Sequence, residues 1–517
     1  MTKLIFILTI ILLVIPLPFL PLGRDQDIAA YNGMAFARGI WPYLGYYDFN
    51  LISQAFINSI LYRIFGNSIL SIRLFEFTLL CLTLFIIYDL FKNKLKSPSW
   101  FLLFFYYVIS YMSLGYYNTG QRDCFVLFFL IFALYFLAKK YNNPQNFFNS
   151  LAIGIILSVA FFFRWTYIVF LIWFIFLLFL TTKKERIKNI IIFLIGFIIF
   201  PLLFLFSYFI KGGQDAIVSI YNNLIVITKV LYPYFGARPF SINVIIQHFE
   251  YIFYLIIVNL ILIFIFLSEV NKNKIKKIPK LYFIIFLFAV GVQISYAIVT
   301  YLQGSFLIYH LLPLQFFSVV TTLTLLDWVI KIKKLNDRYI LLIYVLFIVI
   351  FLQSKIFIVH GFNIINNYKF VIFKLLKSQV YSPDCYRPPY FCPDVHRELV
   401  DVIEKNSSRE DYIQLWSKDP GPYFLTNRIS PTKFPFSFIL WVPDYKYKNK
   451  FNYEFLSDLK RYPPKLFIIE DFNRIKKEEF GDLDPYFDHY AELKEFLSTN
   501  YIFKEKVKFY DIYTHVE

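Results

Sequence analysis

Acidic and arginine residues stand together where apolar runs of the chain begin or end. Arg24-Asp25-Gln26-Asp27 follows the first run, Gln121-Arg122-Asp123 precedes a later one, and Arg164 interrupts the apolar stretch 150–181. A charged group at the edge of a membrane is costly to bury. Each of these sites alone reads as a solvated interface charge or a structural ion pair. All three on one face favour a shared polar cavity over three unrelated sites. Carboxylate and arginine in one cavity suit a general base working beside a bound phosphate, because the guanidinium fork matches phosphate oxygens.

The elements that must position these groups are membrane helices. The chain has 517 residues, of which 58% are hydrophobic, 22% aromatic and 17% charged. A soluble domain carries about 25% charged residues. The apolar residues come in runs of roughly 20, the length that crosses a bilayer. The formal net charge of +17 raises nucleic-acid binding, but the basic residues sit in short clusters between apolar runs. That placement is the mark of cytoplasmic loops and excludes a nucleic-acid partner.

The first run, 4–22, follows Lys3 and precedes no small-residue cleavage site, so it reads as an uncleaved span with the N-terminus inside. Later runs lie at 69–91, 99–117, 124–138, 150–163, 166–181, 189–210, 251–268, 281–301, 306–326 and 339–358, which makes about eleven spans. Lys92, Lys94 and Lys96 follow the second; Lys139 and Lys140 the fourth; Lys183, Lys184, Arg186 and Lys188 the sixth; Lys272 to Lys280 the eighth; Lys331, Lys333, Lys334 and Arg338 the tenth. All fall on one side, which is therefore cytoplasmic, and residues beyond about 360 lie outside.

The expected architecture is a polytopic α-helical membrane domain over 1–360 and a small extracytoplasmic α/β domain over 361–517. Two outer loops are long. Residues 23–68 are expected to form two amphipathic surface helices, about 26–38 and 50–65. Loop 211–250 contains Gly212-Gly213, Pro233, Gly236 and Pro239 as breakers. In the C-terminal part, 394–405 and 486–498 read as helices, and 411–416, 465–470 and 508–514 as strands. Cys81 and Cys124 read as core thiols within spans. Cys385 and Cys392 stand in CYRPPYFC, where an oxidising compartment permits a disulfide; a zinc site there lacks a second ligand pair.

The stretch 23–76, GRDQDIAAYNGMAFARGIWPYLGYYDFNLISQAFINSILYRIFGNSILSIRLFE, resembles the first outer loop of GT-C glycosyltransferases, in particular the glycosyltransferase family 39 and protein mannosyltransferase-like group. Asp25 with Asp27, Tyr31 with Ala35, Gly39 with Pro42-Tyr43, Asp48, Phe65-Gly66, Ser68 and Arg73-Leu74 occupy the positions of that pattern. NTGQRDCFVLFFLIFALYFLAKK resembles the second outer loop and its span, with Asp123 at the acidic position. FFFRWT places Arg164 where the family often has Lys. IYHLLPLQFFSVV carries His310 and Pro313, and EDYIQLW, FLTNRISPTKF and RYPPKLFII resemble the family's tail. The pattern departs at Asp27, where a small residue is usual, and at Leu51-Ile52, where Pro-Pro is frequent.

The resemblance implies transfer of a sugar, hexosyl or pentosyl, from a polyprenyl-phosphate carrier in the bilayer to a lipid, glycan or protein acceptor. It implies an integral protein of a bacterial cytoplasmic (inner) membrane acting on the extracytoplasmic side. Asp25 is the expected base on the acceptor hydroxyl, with Asp27 and Asp123 as further catalytic acids, Asp123 orienting the acceptor or a divalent metal ion. Arg24, Arg122 and Arg164 are the expected holders of the donor phosphate. Asp48 supports the acceptor site or caps a helix. His310 touches the phosphate or a metal, or is a structural interfacial histidine. Arg238, with Tyr232 and Tyr234, belongs to a loop able to close over the donor. A transporter or flippase of lipid-linked saccharides would instead place charges near the midplane of broken, repeated helices, and no repeat is visible. A non-catalytic membrane scaffold is the other alternative.

Overall fold

Helix formation here follows from long apolar runs that must satisfy their own backbone hydrogen bonds when no water is at hand. In the computed structural model the described residues are 2–48, 51–92, 95, 97–181, 185–225, 253, 255–265, 268, 280–303, 308–333, 336–352, 361–375, 393–442, 448–473 and 484–516. The chain divides into two compact units. The first comprises Met1–Leu20, Arg73–Ser207 and Arg238–Ile372, the second Pro21–Ile72, Tyr208–Ala237 and Phe373–Glu517.

The helices in chain order are α1 (Thr2–Val14), α2 (Arg24–Ala37), α3 (Ser53–Phe65), α4 (Ile69–Phe91), α5 (Ser97–Ser113), α6 (Gly115–Asn118), α7 (Arg122–Asn142), α8 (Phe147–Phe163), α9 (Val169–Thr181) and α10 (Arg186–Ile225). They continue as α11 (Leu255–Ile265), α12 (Lys280–Gln303), α13 (Leu312–Lys333), α14 (Asp337–Leu352), α15 (Phe362–Leu375), α16 (Pro393–Asn406), α17 (Gly421–Thr426), α18 (Lys448–Arg461) and α19 (Ala491–Asn500). Among the described residues four helical segments are long and apolar enough to cross a membrane: Ile69–Phe91, Arg122–Asn142, Arg186–Leu224 and Tyr309–Lys333. Shorter apolar helices such as Phe147–Phe163 and Phe283–Val299 accompany them.

Within the first unit α13 is the central helix, buried from Leu312 to Ile330. Its hydroxyls are tied to its neighbours. Gln293 of α12 donates from Nε2 to Thr321 Oγ1 (2.7 Å) and accepts from Ser318 Oγ (3.0 Å). Thr322 Oγ1 donates to Asn259 Oδ1 of α11 (2.8 Å). Such pairs join helices where apolar burial gives no preference between lipid and protein. Cys124 is buried as expected, but Cys81 lies on the exposed face of α4, where the helix turns apolar side chains outward. The sequence reading did not foresee α15, which hangs on the end of α5: Asn363 Nδ2 donates to Ser113 O (2.8 Å) and Asn367 Nδ2 to Met112 O (3.1 Å).

In the second unit a four-stranded sheet, β1 (Ile413–Trp416), β2 (Leu466–Glu470), β3 (Tyr501–Val507) and β4 (Tyr510–His515), has the order β1-β2-β4-β3. β1 and β2 are parallel; the other pairs are antiparallel. The edge strand β3 was missed because its exposed face, including Lys504, Glu505 and Lys506, breaks the apolar pattern. Both sheet faces are covered. Leu466 and Ile468 meet Ala30, Tyr31, Met34 and Ala35 of α2 and Leu399 and Ile403 of α16. Phe467 and Trp416 meet Phe451 and Phe455 of α18. Helix α2, read from the sequence as a membrane-surface helix, thus belongs to the core of this unit. α10 is broken at Gly212-Gly213, and Gly213 adopts φ +62°, a conformation that favours glycine.

Candidate active site

In the first unit four elements converge on Asp123, the second residue of α7. Its Oδ2 accepts from Arg164 Nη1 at 2.8 Å. Its Oδ1 accepts from the Tyr296 hydroxyl of α12 at 2.8 Å and from the Tyr167 hydroxyl. His310 Nε2, in the turn before α13, stands 3.7 Å from Oδ2. Asp123, Tyr167, Tyr296 and His310 are wholly buried, and Arg164 is nearly so. The chain supplies this geometry by ending α8 at Phe163. Arg164 is extended (φ −160°, ψ 119°), and a short turn from Trp165 to Ile168 brings Tyr167 to the same carboxylate. Three hydrogen bonds already occupy most of the acceptor capacity of this carboxylate. Asp123 therefore reads as an anchor for Arg164 and the two tyrosines. Arg122, its neighbour, is half-buried and stands at the start of α7.

In the second unit the first turn of α2 carries the two other acids, with different surroundings. Gly23 N donates to Gln26 Oε1 (2.8 Å) and fixes the turn. Asp25 is partly exposed, its side chain 31% accessible, and its Oδ1 lies 3.9 Å from Arg24 Nε. Asp27, two residues on, is buried. It faces His396 of α16 and Asp419, which follows β1; one ligand atom from each lies within 4.8 Å of the others. Burial pushes the Asp419 carboxyl up from its ordinary range, and the nearby His396 pulls the other way.

Asp48 is buried and accepts at Oδ2 from Asn32 Nδ2 (2.9 Å), while its carbonyl accepts from Asn223 Nδ2 (2.9 Å). It ties the loop after α2 to α2 and to the last part of α10. The N-cap position of α3 is Ile52. Arg238, Tyr232, Tyr234, Cys385 and Cys392 lie outside the described residues.

The structure thus brings Asp123, Arg164 and His310 together in one unit, and Arg24, Asp25 and Asp27 into one turn of the other. Sequence reasoning missed Tyr167, Tyr296, His396 and Asp419. Tyr167 follows Arg164 by three residues, a spacing that shares one turn. His396 is one of only six histidines in the chain, and Asp419 precedes Pro420-Gly421, a turn signal. Tyr296 has no local signal.

Residues 52–209, which include Asp123 and Arg164, match the family model described as dolichyl-phosphate-mannose-protein mannosyltransferase. No curated protein matches the chain by sequence. Among solved structures, ArnT from Cupriavidus metallidurans, bound to undecaprenyl phosphate, aligns with a TM-score of 0.53 and 11% identity over 99% of this chain and 98% of that one. The fold is that of the GT-C glycosyltransferases. The archaeal oligosaccharyltransferase AglB from Archaeoglobus fulgidus, in complex with an inhibitory peptide and a dolichol-phosphate, aligns at 0.50 and 12% identity over 99% of this chain and 74% of its own. With this GT-C fold and its apolar helices the protein is an integral membrane protein.

Proposed function

We propose that the protein transfers a sugar from a polyprenyl-phosphate donor to an acceptor hydroxyl on the extracytoplasmic side of a bacterial cytoplasmic membrane. The observation that carries this reading is the division of labour between the acids. Asp25 is partly exposed at a helix start beside Arg24, whereas Asp123 is buried and saturated with donors. Asp25 is the base. It takes the proton of the acceptor hydroxyl as that oxygen bonds to the anomeric carbon. The bond from the anomeric carbon to the phosphate oxygen breaks, and polyprenyl phosphate leaves as the anion. Arg24, Arg122 and Arg164 supply the positive charge that holds this phosphate, Arg164 while anchored by Asp123. Asp27 stays behind the reacting atoms, and Asp48 braces the loop after α2. The fold and the match over 52–209, which takes in Asp123 and Arg164, support sugar transfer from a lipid-linked donor.

The test is turnover. The purified protein, in lipid vesicles, is given polyprenyl-monophosphate sugars labelled in the sugar, together with lipid extracts and glycans as acceptors. Release of free polyprenyl phosphate with label transfer is expected for one donor class. Movement of intact donor across the bilayer without cleavage would replace the reading with that of a flippase.

A further inference from the structure

We propose that Asp27, His396 and Asp419 form a binding site for one divalent transition-metal cation, of the Mn²⁺ or Zn²⁺ type. The three residues come from three elements, α2, α16 and the turn after β1, and each is at least nine-tenths buried: Asp27 3%, His396 5% and Asp419 4% exposed. Their ligand atoms lie within 4.8 Å of one another, and His396 Nε2 is 3.3 Å from Asp419 Oδ2. Ligands about 2.1 Å from a common ion lie roughly 3.0–3.4 Å apart at adjacent positions, so this pair already has the needed spacing. Two carboxylates and an imidazole are oxygen and nitrogen donors of the kind such ions take, and the two carboxylates match a charge of +2.

Asp419 gives the independent sign. Its backbone N–H donates to Ser417 Oγ (3.0 Å), and its Oδ1 accepts from Gly421 N (2.9 Å). Ser417 is in turn held by Glu470 Oε2 (2.8 Å). The carboxylate is thereby oriented, as the outer partners of metal ligands are. Its Oδ2, buried and turned towards His396, accepts no hydrogen bond among the described residues. An oxygen left so in a dry site costs free energy that a cation would remove. Gly421 is needed for the closeness: a Cβ there would stand 3.0 Å from Asp27 Cγ and Oδ2 and 3.1 Å from Asp419 Oδ1. The site sits two residues from Asp25 in the same turn of α2, where a bound ion would fix that turn.

The experiment measures metal and not transfer, so its result is separate from the sugar-transfer reading. Full-length protein in detergent is stripped with a chelator, given Mn²⁺ or Zn²⁺ alone, and gel-filtered; bound metal and thermal unfolding are read. One equivalent bound, with a higher melting temperature than the stripped protein, is expected. Loss of an outer partner weakens a metal site by about 10–100-fold, so His396→Gln and Asp419→Asn should weaken binding at least as much. His396→Cys should keep Zn²⁺ and lose Mn²⁺, a selectivity that a mere ion pair would not show. If stripped His396→Gln melts with stripped wild type, misfolding is not the cause of its loss. Wild-type protein that retains no metal, or His396→Gln protein that binds it as tightly as wild type, overturns the proposal.

Discussion

The guanidinium of Arg164 and the carboxylate of Asp123 form a buried pair, Nη1 to Oδ2 at 2.8 Å, with side-chain exposures of 6% and 0%. Removing one member leaves a charge without compensation. Arg164→Ala and Asp123→Asn should each lower stability by about 3–5 kcal/mol, and the double variant by less than the sum. Unfolding in detergent, read as a double-mutant cycle, checks this. Additive losses would mean that the pair is not formed. In Arg164→Lys, which keeps the charge and loses the fork, binding of polyprenyl phosphate should weaken about tenfold, as for one charge-assisted hydrogen bond.

Asp25→Asn keeps the size of the proposed base and removes its proton affinity. Transfer should fall by about 10²–10⁴-fold. Donor binding should persist, because the arginines remain, and the fold should hold, because the side chain is partly exposed. Full turnover in this variant would move the base to another acid.

Arg73 and Glu76 form a second buried pair on α4, Nη1 to Oε2 at 2.6 Å, and Tyr111 donates to the same carboxylate. Arg73 also donates to Leu20 O (3.3 Å), Tyr116 O (3.0 Å) and Thr119 Oγ1 (3.2 Å). Glu76→Ala should therefore destabilise by about 3–5 kcal/mol, and Glu76→Gln by less, since an amide still accepts from Tyr111. Unfolding temperature and the folded fraction on gel filtration report it. An unchanged melting temperature for Glu76→Ala would contradict the buried pair.

The placement of basic clusters predicts topology. A reporter fused after residue 96 should act as cytoplasmic, and one fused after residue 380 as external. An internal signal at 380 would reverse the orientation and with it the side on which transfer takes place.

Composition and spacing determined the helical class of this protein, because a run of twenty apolar residues leaves the backbone no other way to satisfy its polar groups in lipid. Ile69–Phe91 is legible to the residue. Strands β1 and β2 were legible as short, largely apolar runs and β4 from its alternation, whereas β3 was not, since its solvated face carries charged residues that break the pattern. Asp25, Asp123 and Arg164 stood out because charge is expensive beside apolar runs. Only the tertiary structure decided what surrounds each acid. Asp25 and Asp27 are two residues apart in one turn, yet the helix turns one outward and packs the other against His396 and Asp419, more than 360 positions away in the chain. Tyr296 reaches Asp123 across 173 positions. A carboxylate's capacity to take a proton depends on burial and on the donors it meets, and both are made by segments that the sequence places far apart.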